Sequence, residues 1–308
     1  MTPRANNLAR ATSNQIESEL DVGLKQARET HSRGTEERLR ADVLGVRVEA
    51  LDMSMAMALI ATALAERRKG YVCMAGVHGI MEAQRDPEVR RAFANAFLSL
   101  PDGMPTVWVG RSQGLERMQR VAGPDLMLEV FGNRELAGFT HFLYGGKVGV
   151  AQALSANLMR RFPWTRVVGT YTPAFRELTA DEEQGLIARV RRLKPSIIWV
   201  GISSPRQEMF MNRYLPVLDT TLMFGVGAAF DFHTGRIRDC ADWIKRAGLQ
   251  WLHRLIQNPR HLLWRYLRNN PAFVWRIALQ IAGFRNTTMA DSIDQEKRPW
   301  LCESTSDL

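Results

Sequence analysis

The sequence predicts an α/β fold: a Rossmann-like parallel sheet with helices on both faces, followed by a basic helical appendage at the C-terminus. Three observations predict it. Short β-rich runs alternate with helical patterns, the segment after residue 235 is helical in pattern and rich in arginine, and 308 residues with 45% hydrophobic content suffice to bury a large core.

The alternation begins after about 40 polar and charged residues, which we interpret as a disordered extension. The first folded segment is VLGVRVEAL, residues 43–51. Each later β-rich run precedes a helical pattern, as expected for parallel strands joined by crossover helices. The pairs are GYVCMAGV with 79–97, THFLYGG with 148–162, TRVVGTY with 179–194, PSIIWVGI with 205–218, and TLMFGVGAAF with the basic region.

These patterns predict four parts of the chain, and no internal repeat is present. They are a disordered extension over 1–40, a Rossmann-like domain over 41–235, a basic amphipathic helical appendage over 236–285 and a flexible tail over 286–308.

Composition limits the partners and the compartment. The 41 Lys and Arg against 32 Asp and Glu give a net charge of +9, which favours an anionic partner such as a phosphorylated metabolite, nucleic acid or an acidic membrane surface. Cys73, Cys240 and Cys302 are odd in number and far apart, which indicates a reducing cytosol rather than disulfides or a zinc site. Because no stretch has the ~18 apolar residues of a spanning helix, we expect any membrane contact to be peripheral.

Unusual residues follow the predicted strands, at the edge where parallel sheets bind ligands. Gly145, Gly146 and Lys147 form a glycine turn beside an ammonium group, typical of a phosphate cradle or of a plain tight turn. The other positions at this edge are Asp102, Arg206, Gln207, Glu208, Gly225, Gly227 and Asp231.

Two of these groups have both a binding and a structural interpretation. Gln207 offers a donor and an acceptor for sugar hydroxyls or a uracil edge, whereas Glu208 at a helix start also complements the helix dipole. The glycines Gly225 and Gly227 allow a ligand close to the backbone, and Asp231 either binds it or caps the next turn.

The appendage interleaves arginine with large aromatic residues at helical spacing. Such a surface suits phosphates on one side and lipid or apolar protein on the other, although a solvated basic face is an equal alternative. The many aliphatic residues argue against a nucleic-acid surface. No Asp-x-Asp pair, His/Cys cluster, Walker loop or dinucleotide fingerprint is present, so neither a metal nor any other cofactor is predicted.

Seven segments together resemble the WecG/TagA/CpsF glycosyltransferases in order and spacing over about residues 43–272. They are LPDGMPTVW, RVAGPDLM, FLYGGKVGVAQ, VVGTYTPAF, GISSPRQE, GVGAAFDFHTG and GLQWLHRLIQNPRHLLWRYL.

The resemblance implies a metal-independent, inverting transfer of a sugar from a UDP-sugar to a polyprenyl-diphosphate-linked saccharide. It also implies a role in exopolysaccharide or envelope polysaccharide synthesis, with the enzyme bound peripherally to the anionic inner face of a bacterial cell membrane. The phosphate groups of such substrates would explain the positive net charge without a nucleic-acid partner. The oligomeric state is left open.

The resemblance also implies residue roles. Asp102 matches the general base, which takes the proton of the acceptor hydroxyl, and Arg120 matches an arginine near the diphosphate. Gln207 matches the glutamine of the pocket. His78 matches the histidine of a motif after the second strand. The appendage arginines implied to neutralise the UDP or lipid diphosphate are Arg254, Arg260 and Arg268.

Two departures from the family pattern concern activity. Gly76 stands where many relatives carry an asparagine. The segment around Cys240, which forms the hinge into the appendage, lacks the proline that is frequent in the family. A non-catalytic relative that binds nucleotide or lipid diphosphate is therefore the alternative function. A nicotinamide-dependent oxidoreductase is disfavoured by the missing fingerprint.

Overall fold

The computed structural model describes residues 38–284, except for the side chain of His261. The tail predicted over 286–308, and the predicted extension as far as residue 37, lie outside the described residues.

The described chain opens with an antiparallel hairpin of β1 (Arg40–Val43) and β2 (Val46–Glu49). Six further strands of the described chain form one parallel sheet in the order β4-β3-β8-β7-β5-β6. Their bounds are β3 (Gly70–Met74), β4 (Leu98–Leu100), β5 (Thr140–Gly145), β6 (Arg166–Tyr171), β7 (Ile197–Gly201) and β8 (Leu222–Gly225).

Within residues 38–284, nine α-helices lie between and after the strands of the Rossmann-like part. They are α1 (Met53–Ala65), α2 (Val77–Ala83), α3 (Pro87–Ala94), α4 (Met104–Ser112), α5 (Gly123–Gly132), α6 (Val150–Arg161), α7 (Ala180–Leu193), α8 (Arg206–Tyr214) and α9 (Ala229–His233). The appendage consists of α10 (Asp242–Arg246), α11 (Gln250–Gln257) and α12 (Pro259–Ile281).

The sheet separates two hydrophobic cores, and this confirms the predicted Rossmann-like fold with helices on both faces. Along β3, Tyr71 and Cys73 pack into one core while Val72 and Met74 pack into the other. This alternation follows from the two-residue repeat of a strand. Helices α2, α3, α7, α8 and α12 contribute to the first core, and α1, α5, α6 and α9 to the second.

One predicted helix is two helices in the structure. The pattern over 79–97 continues across Asp86 and Pro87, but α2 ends at Ala83 and α3 begins at Pro87. The Asp86 side chain accepts a hydrogen bond from the Glu88 N–H at 2.8 Å and caps the new helix. Because proline has no N–H and fits the first turn, the Asp-Pro pair starts a helix rather than continuing one.

Candidate functional site

The candidate site lies at the carboxyl edge of the sheet, where two loops are joined. Asp102 follows β4 after Pro101, and the Leu100 carbonyl accepts a hydrogen bond from the Ala75 N–H at 2.7 Å. The Pro101 carbonyl accepts another from the Val121 N–H at 2.9 Å, which fixes the segment that carries Arg120. Gly103 has a φ of 123°, which favours glycine and allows the sharp turn into α4.

Asp102 is surrounded by protein but retains some solvent exposure. Burial raises its pKa above the ordinary aspartate value of 3.8, while the guanidinium groups of Arg120 and Arg254 oppose that rise. The neighbouring carboxylate of Asp125 raises it further. A carboxylate that is more basic than usual but kept charged by arginines suits a general base.

Arg120 is held in place from two sides. Its Nη1 donates to Asp125 Oδ2 at 2.8 Å, and its Nη2 donates to Gln250 Oε1 at 3.2 Å. Its Nε is buried with no hydrogen-bond partner in the described chain. Sequence reasoning missed Gln250, which lies 130 positions away at the start of α11 and has no motif of its own.

The structure separates the three appendage arginines of the sequence prediction. The positive charge of Arg254 on α11 acts on the Asp102 carboxylate. The Arg254 guanidinium carbon lies 5.8 Å from the centroid of the Phe232 ring. The Nε of Arg254 is buried and has no hydrogen-bond partner among the described residues. Arg260 and Arg268 are exposed on α12. Their role in binding the substrate stays a prediction, and their exposure fits a contact with a lipid diphosphate better than one with Asp102.

The departure at Gly76 lies directly beside the candidate base. A Cβ at Gly76 would lie 3.6 Å from Asp102 Oδ2 and 3.0 Å from the Asp102 carbonyl oxygen. The φ of −94° is open to any residue, so the backbone does not require glycine here. An asparagine would place its amide close to the carboxylate after a shift of a few tenths of an ångström.

Gln207 and Glu208 are buried within the site rather than open to it. Gln207 Nε2 donates to the Gly225 carbonyl at 2.9 Å and to Glu208 Oε1 at 3.0 Å. Its Oε1 accepts from the Gly227 N–H at 3.0 Å. Gln207 therefore fixes the glycine turn after β8, and a direct contact with the substrate stays a prediction for both side chains.

Glu208 is a fully buried carboxyl group beside Ser204, and burial raises its pKa to about 7 from an ordinary value of 4.5. The hydrogen bond from Gln207 opposes the rise, and the Asp102 charge adds to it. Because the folded state keeps this proton while the unfolded state loses it, stability falls as pH rises from 4.5 to about 7 and then levels off.

We therefore expect the E208Q variant to be more stable than wild type at pH 8, by up to about 3 kcal/mol. Glutamine has nearly the same shape and carries no charge to bury. Urea denaturation at pH 5 and pH 8 measures the change, with the exposed Glu135→Gln variant as the control. The gain should shrink at pH 5, and an equal gain at both pH values would contradict the assignment.

The predicted phosphate cradle lies away from Asp102. β5 is four strands from β4, which is about 19 Å at a spacing of about 4.8 Å. Gly145 packs so closely that a Cβ would lie 2.4 Å from the Gly201 carbonyl oxygen. Lys147 is exposed beside the turn, and phosphate binding by this turn stays a prediction.

Asp231 belongs to the short helix α9. Its carboxylate lies 3.4 Å from Arg236 Nε, and its carbonyl accepts hydrogen bonds from the N–H groups of Arg236 and Ile237. These contacts support the structural interpretation of Asp231 as part of a turn. They hold the start of the appendage against α9.

His78 contacts the appendage rather than standing free in the pocket. Its Nδ1 lies 2.9 Å from Asn269 Nδ2 on α12. Burial lowers its pKa to about 4, with the Arg265 charge next in effect, so the ring is neutral at physiological pH. Asn269 is another residue that sequence reasoning missed, because a lone asparagine in a basic helix gives no signal.

Side-chain hydrogen bonds stabilise the hinge around Cys240, which leads into the appendage and lacks a proline. Asp239 Oδ1 accepts from the Cys240 N–H at 2.9 Å, and Asp239 Oδ2 accepts from Lys245 at 2.5 Å. Gln257 also hydrogen-bonds the backbone of Arg238 with both ends of its amide, each at 2.9 Å. The hinge is therefore held by these contacts in place of a proline ring.

Comparison with known proteins identifies the family of the chain. The model of the glycosyl transferase WecG/TagA/CpsF family matches residues 41–287. The N-acetylglucosaminyldiphosphoundecaprenol N-acetyl-beta-D-mannosaminyltransferase of Bacillus subtilis (strain 168) is 27% identical over 187 residues, which cover 60% of this chain and 69% of that protein. The match over most of the chain confirms the resemblance carried by the seven segments, and the chain belongs to the WecG/TagA/CpsF family of glycosyltransferases.

Proposed function

We propose that this glycosyltransferase moves a sugar from a UDP-sugar to a polyprenyl-diphosphate-linked saccharide, with inversion and without a metal. The Bacillus relative is named as an N-acetylmannosaminyltransferase that acts on N-acetylglucosaminyldiphosphoundecaprenol, which supports a lipid-linked acceptor for this chain. The observation that carries the proposal is the grouping of Asp102 with Arg120 and Arg254.

The mechanism uses these three side chains. Asp102 takes the proton from the acceptor hydroxyl while that oxygen attacks the anomeric carbon and the bond to UDP breaks. Guanidinium groups stabilise the negative charge of the leaving diphosphate. The buried Nε–H groups of Arg120 and Arg254 can donate hydrogen bonds to it, because they have no hydrogen-bond partner among the described residues. The absence of a metal from this step stays a prediction.

UDP release from a panel of UDP-sugars, with a short polyprenyl-diphosphate saccharide as acceptor, tests this function. Release that depends on the acceptor supports it and identifies the donor. UDP binding without turnover by any donor would instead support the non-catalytic alternative, which the glycine at position 76 beside Asp102 favours.

We further propose that the appendage rests on an anionic membrane surface. Among the described residues, no helix is both long enough and apolar enough to span a bilayer. The side of α12 away from the protein exposes Trp264 by 75% and Trp275 by 66%, next to the exposed Arg260 and Arg268. Tryptophan and arginine together suit the boundary between lipid tails and phosphate headgroups.

The Trp264→Ser/Trp275→Ser variant is expected to bind vesicles containing phosphatidylglycerol at least about 10-fold more weakly than wild type, because two large apolar contacts are lost. Vesicle flotation measures the bound fraction. Phe175→Ser is the control, since Phe175 is 86% exposed on the Rossmann-like part. Equal flotation of the wild type and the double variant would contradict membrane binding through this side of α12.

A further inference from the structure

Helix α12 docks on the rest of the protein through one face. Among its described side chains, the buried ones are Leu262, Asn269, Phe273 and Ile277, spaced by seven, four and four residues, as one helical face requires. Asn269 is 2% exposed and is the one polar residue among these four. A buried amide is costly unless both its ends are hydrogen-bonded, so its partners decide where the helix can dock.

Both ends of the Asn269 amide are bonded to side chains outside the appendage. Arg85 Nη1 donates to Asn269 Oδ1 at 2.8 Å and to Glu82 Oε1 at 2.6 Å. Because arginine only donates, this bond fixes the amide orientation and directs Nδ2 to His78 Nδ1 at 2.9 Å. The imidazole therefore accepts at Nδ1, which only an unprotonated nitrogen can do.

A second amide fixes the other end of the helix. Gln280 Nε2 donates to the Asp42 carbonyl at 2.8 Å, and its Oε1 accepts from the Leu44 N–H at 3.0 Å, both in the β1–β2 hairpin. Asn269 and Gln280 are eleven residues apart, about 16 Å along the axis. Two such amides set both the rotation and the axial position of α12.

Helix α12 packs against α11, which carries the site residues. The ring of Trp251 on α11 packs edge-on against Tyr266 on α12, with centroids 5.6 Å apart. Arg254 on α11 acts on Asp102, and Gln250 holds Arg120. A displacement of α12 would therefore move two groups of the candidate site.

We propose that Asn269 is a positioning residue for glycosyl transfer: by binding His78 and Arg85 it docks α12 and so holds Arg254 at Asp102. The proposal rests on the proposed function and assigns His78 to the docking of the appendage. It requires that the loss of Asn269 lowers activity by displacing Arg254, and not only by lowering the stability of the whole fold.

The test compares N269L with N270L in the full chain. Asn270 is the matched control, because it is the adjacent asparagine, is half-buried and its side chain makes no hydrogen bond within the described chain. We expect N269L to lower kcat for UDP release by about 10- to 100-fold. In an R254A background, N269L should cost clearly less activity than in the wild-type background, because one of the two groups that depend on α12 is already gone. Full additivity of the two losses would overturn the proposal.

Hydrogen–deuterium exchange provides a readout that does not depend on activity. Amides over 250–257 should exchange faster in N269L than in wild type or N270L. Unchanged exchange there overturns the positioning role even if the wild type turns over. A wild type that releases no UDP, together with faster exchange in N269L, would overturn the proposed function while supporting the docking role of Asn269.

The N269D variant covers the case in which N269L does not fold. Aspartate still accepts from Arg85 but cannot donate to His78, so the contact forms only when His78 is protonated. The charged groups that face His78 are Glu82, Arg85 and Arg265, and the new carboxylate would raise its pKa. The activity of N269D relative to wild type should therefore rise as pH falls from 8 to 6, and a ratio independent of pH would overturn the proposal.

Discussion

The Asp102→Asn variant is expected to release UDP about 10²- to 10⁴-fold more slowly than wild type, in the range of a lost general base. Asparagine keeps the size of the side chain and can still hydrogen-bond the acceptor hydroxyl, but it cannot accept the proton. Asp102 already has a raised pKa because of burial, and Arg120 and Arg254 limit that rise. The substitution therefore removes one chemical property and leaves the geometry in place.

The pH dependence of kcat/KM checks this assignment independently. Wild-type activity should fall on the acid side as Asp102 takes up a proton, with a midpoint above the ordinary aspartate pKa. The variant should lack that limb. Asp125→Asn is the comparator, because it removes a carboxylate from the same cluster without removing the proposed base. An equal loss in both variants would indicate a general electrostatic role and would refute the base assignment.

The Arg254→Ala variant is expected to lose about 10²- to 10³-fold in kcat, the usual cost of removing one donor that stabilises charge in the transition state. Arg254 is the appendage arginine that acts on Asp102, and its buried Nε has no described partner. Without it, the diphosphate charge that develops as the glycosidic bond breaks has one guanidinium fewer to bind.

Arg260→Ala is the matched control, since it removes an arginine from the same appendage at an exposed position. With a short acceptor in solution, we expect its kcat to stay within about 2-fold of wild type. With an acceptor embedded in vesicles, its KM should rise, because its predicted contact is with the lipid diphosphate or the membrane surface. Equal losses for both variants with the soluble acceptor would contradict the separation of the two arginines.

The sheet was predictable because its signals are local. The alternation of buried runs with helical patterns marked β3 and β5 to β8, and the structure confirms the parallel arrangement. The helix α1 was not predicted. Its sequence, MSMAMALIATALA, is apolar on nearly every side, so it lacks the contrast between faces that reveals an amphipathic helix.

The site was predictable only in part. Asp102 could be placed at the carboxyl edge of the sheet from the strand before it, and its general-base role came from the family resemblance. The sequence could not distinguish the roles of Arg254, Arg260 and Arg268, because all three are arginines in one basic helical pattern. The structure separates them because the exposure of each depends on the face that its helix turns to the protein.

By itself, the sequence determined the α/β architecture, the family and the loops that carry polar groups, because periodicity, turn residues and motif order are properties of neighbouring positions. Only the tertiary structure decided that Gln250 holds Arg120, that Gly76 faces Asp102 and that Asn269 binds His78. His78 and Asn269 are 191 positions apart, and the contact exists because α12 packs across α2. Such a contact depends on how whole elements pack in three dimensions, which no local pattern records.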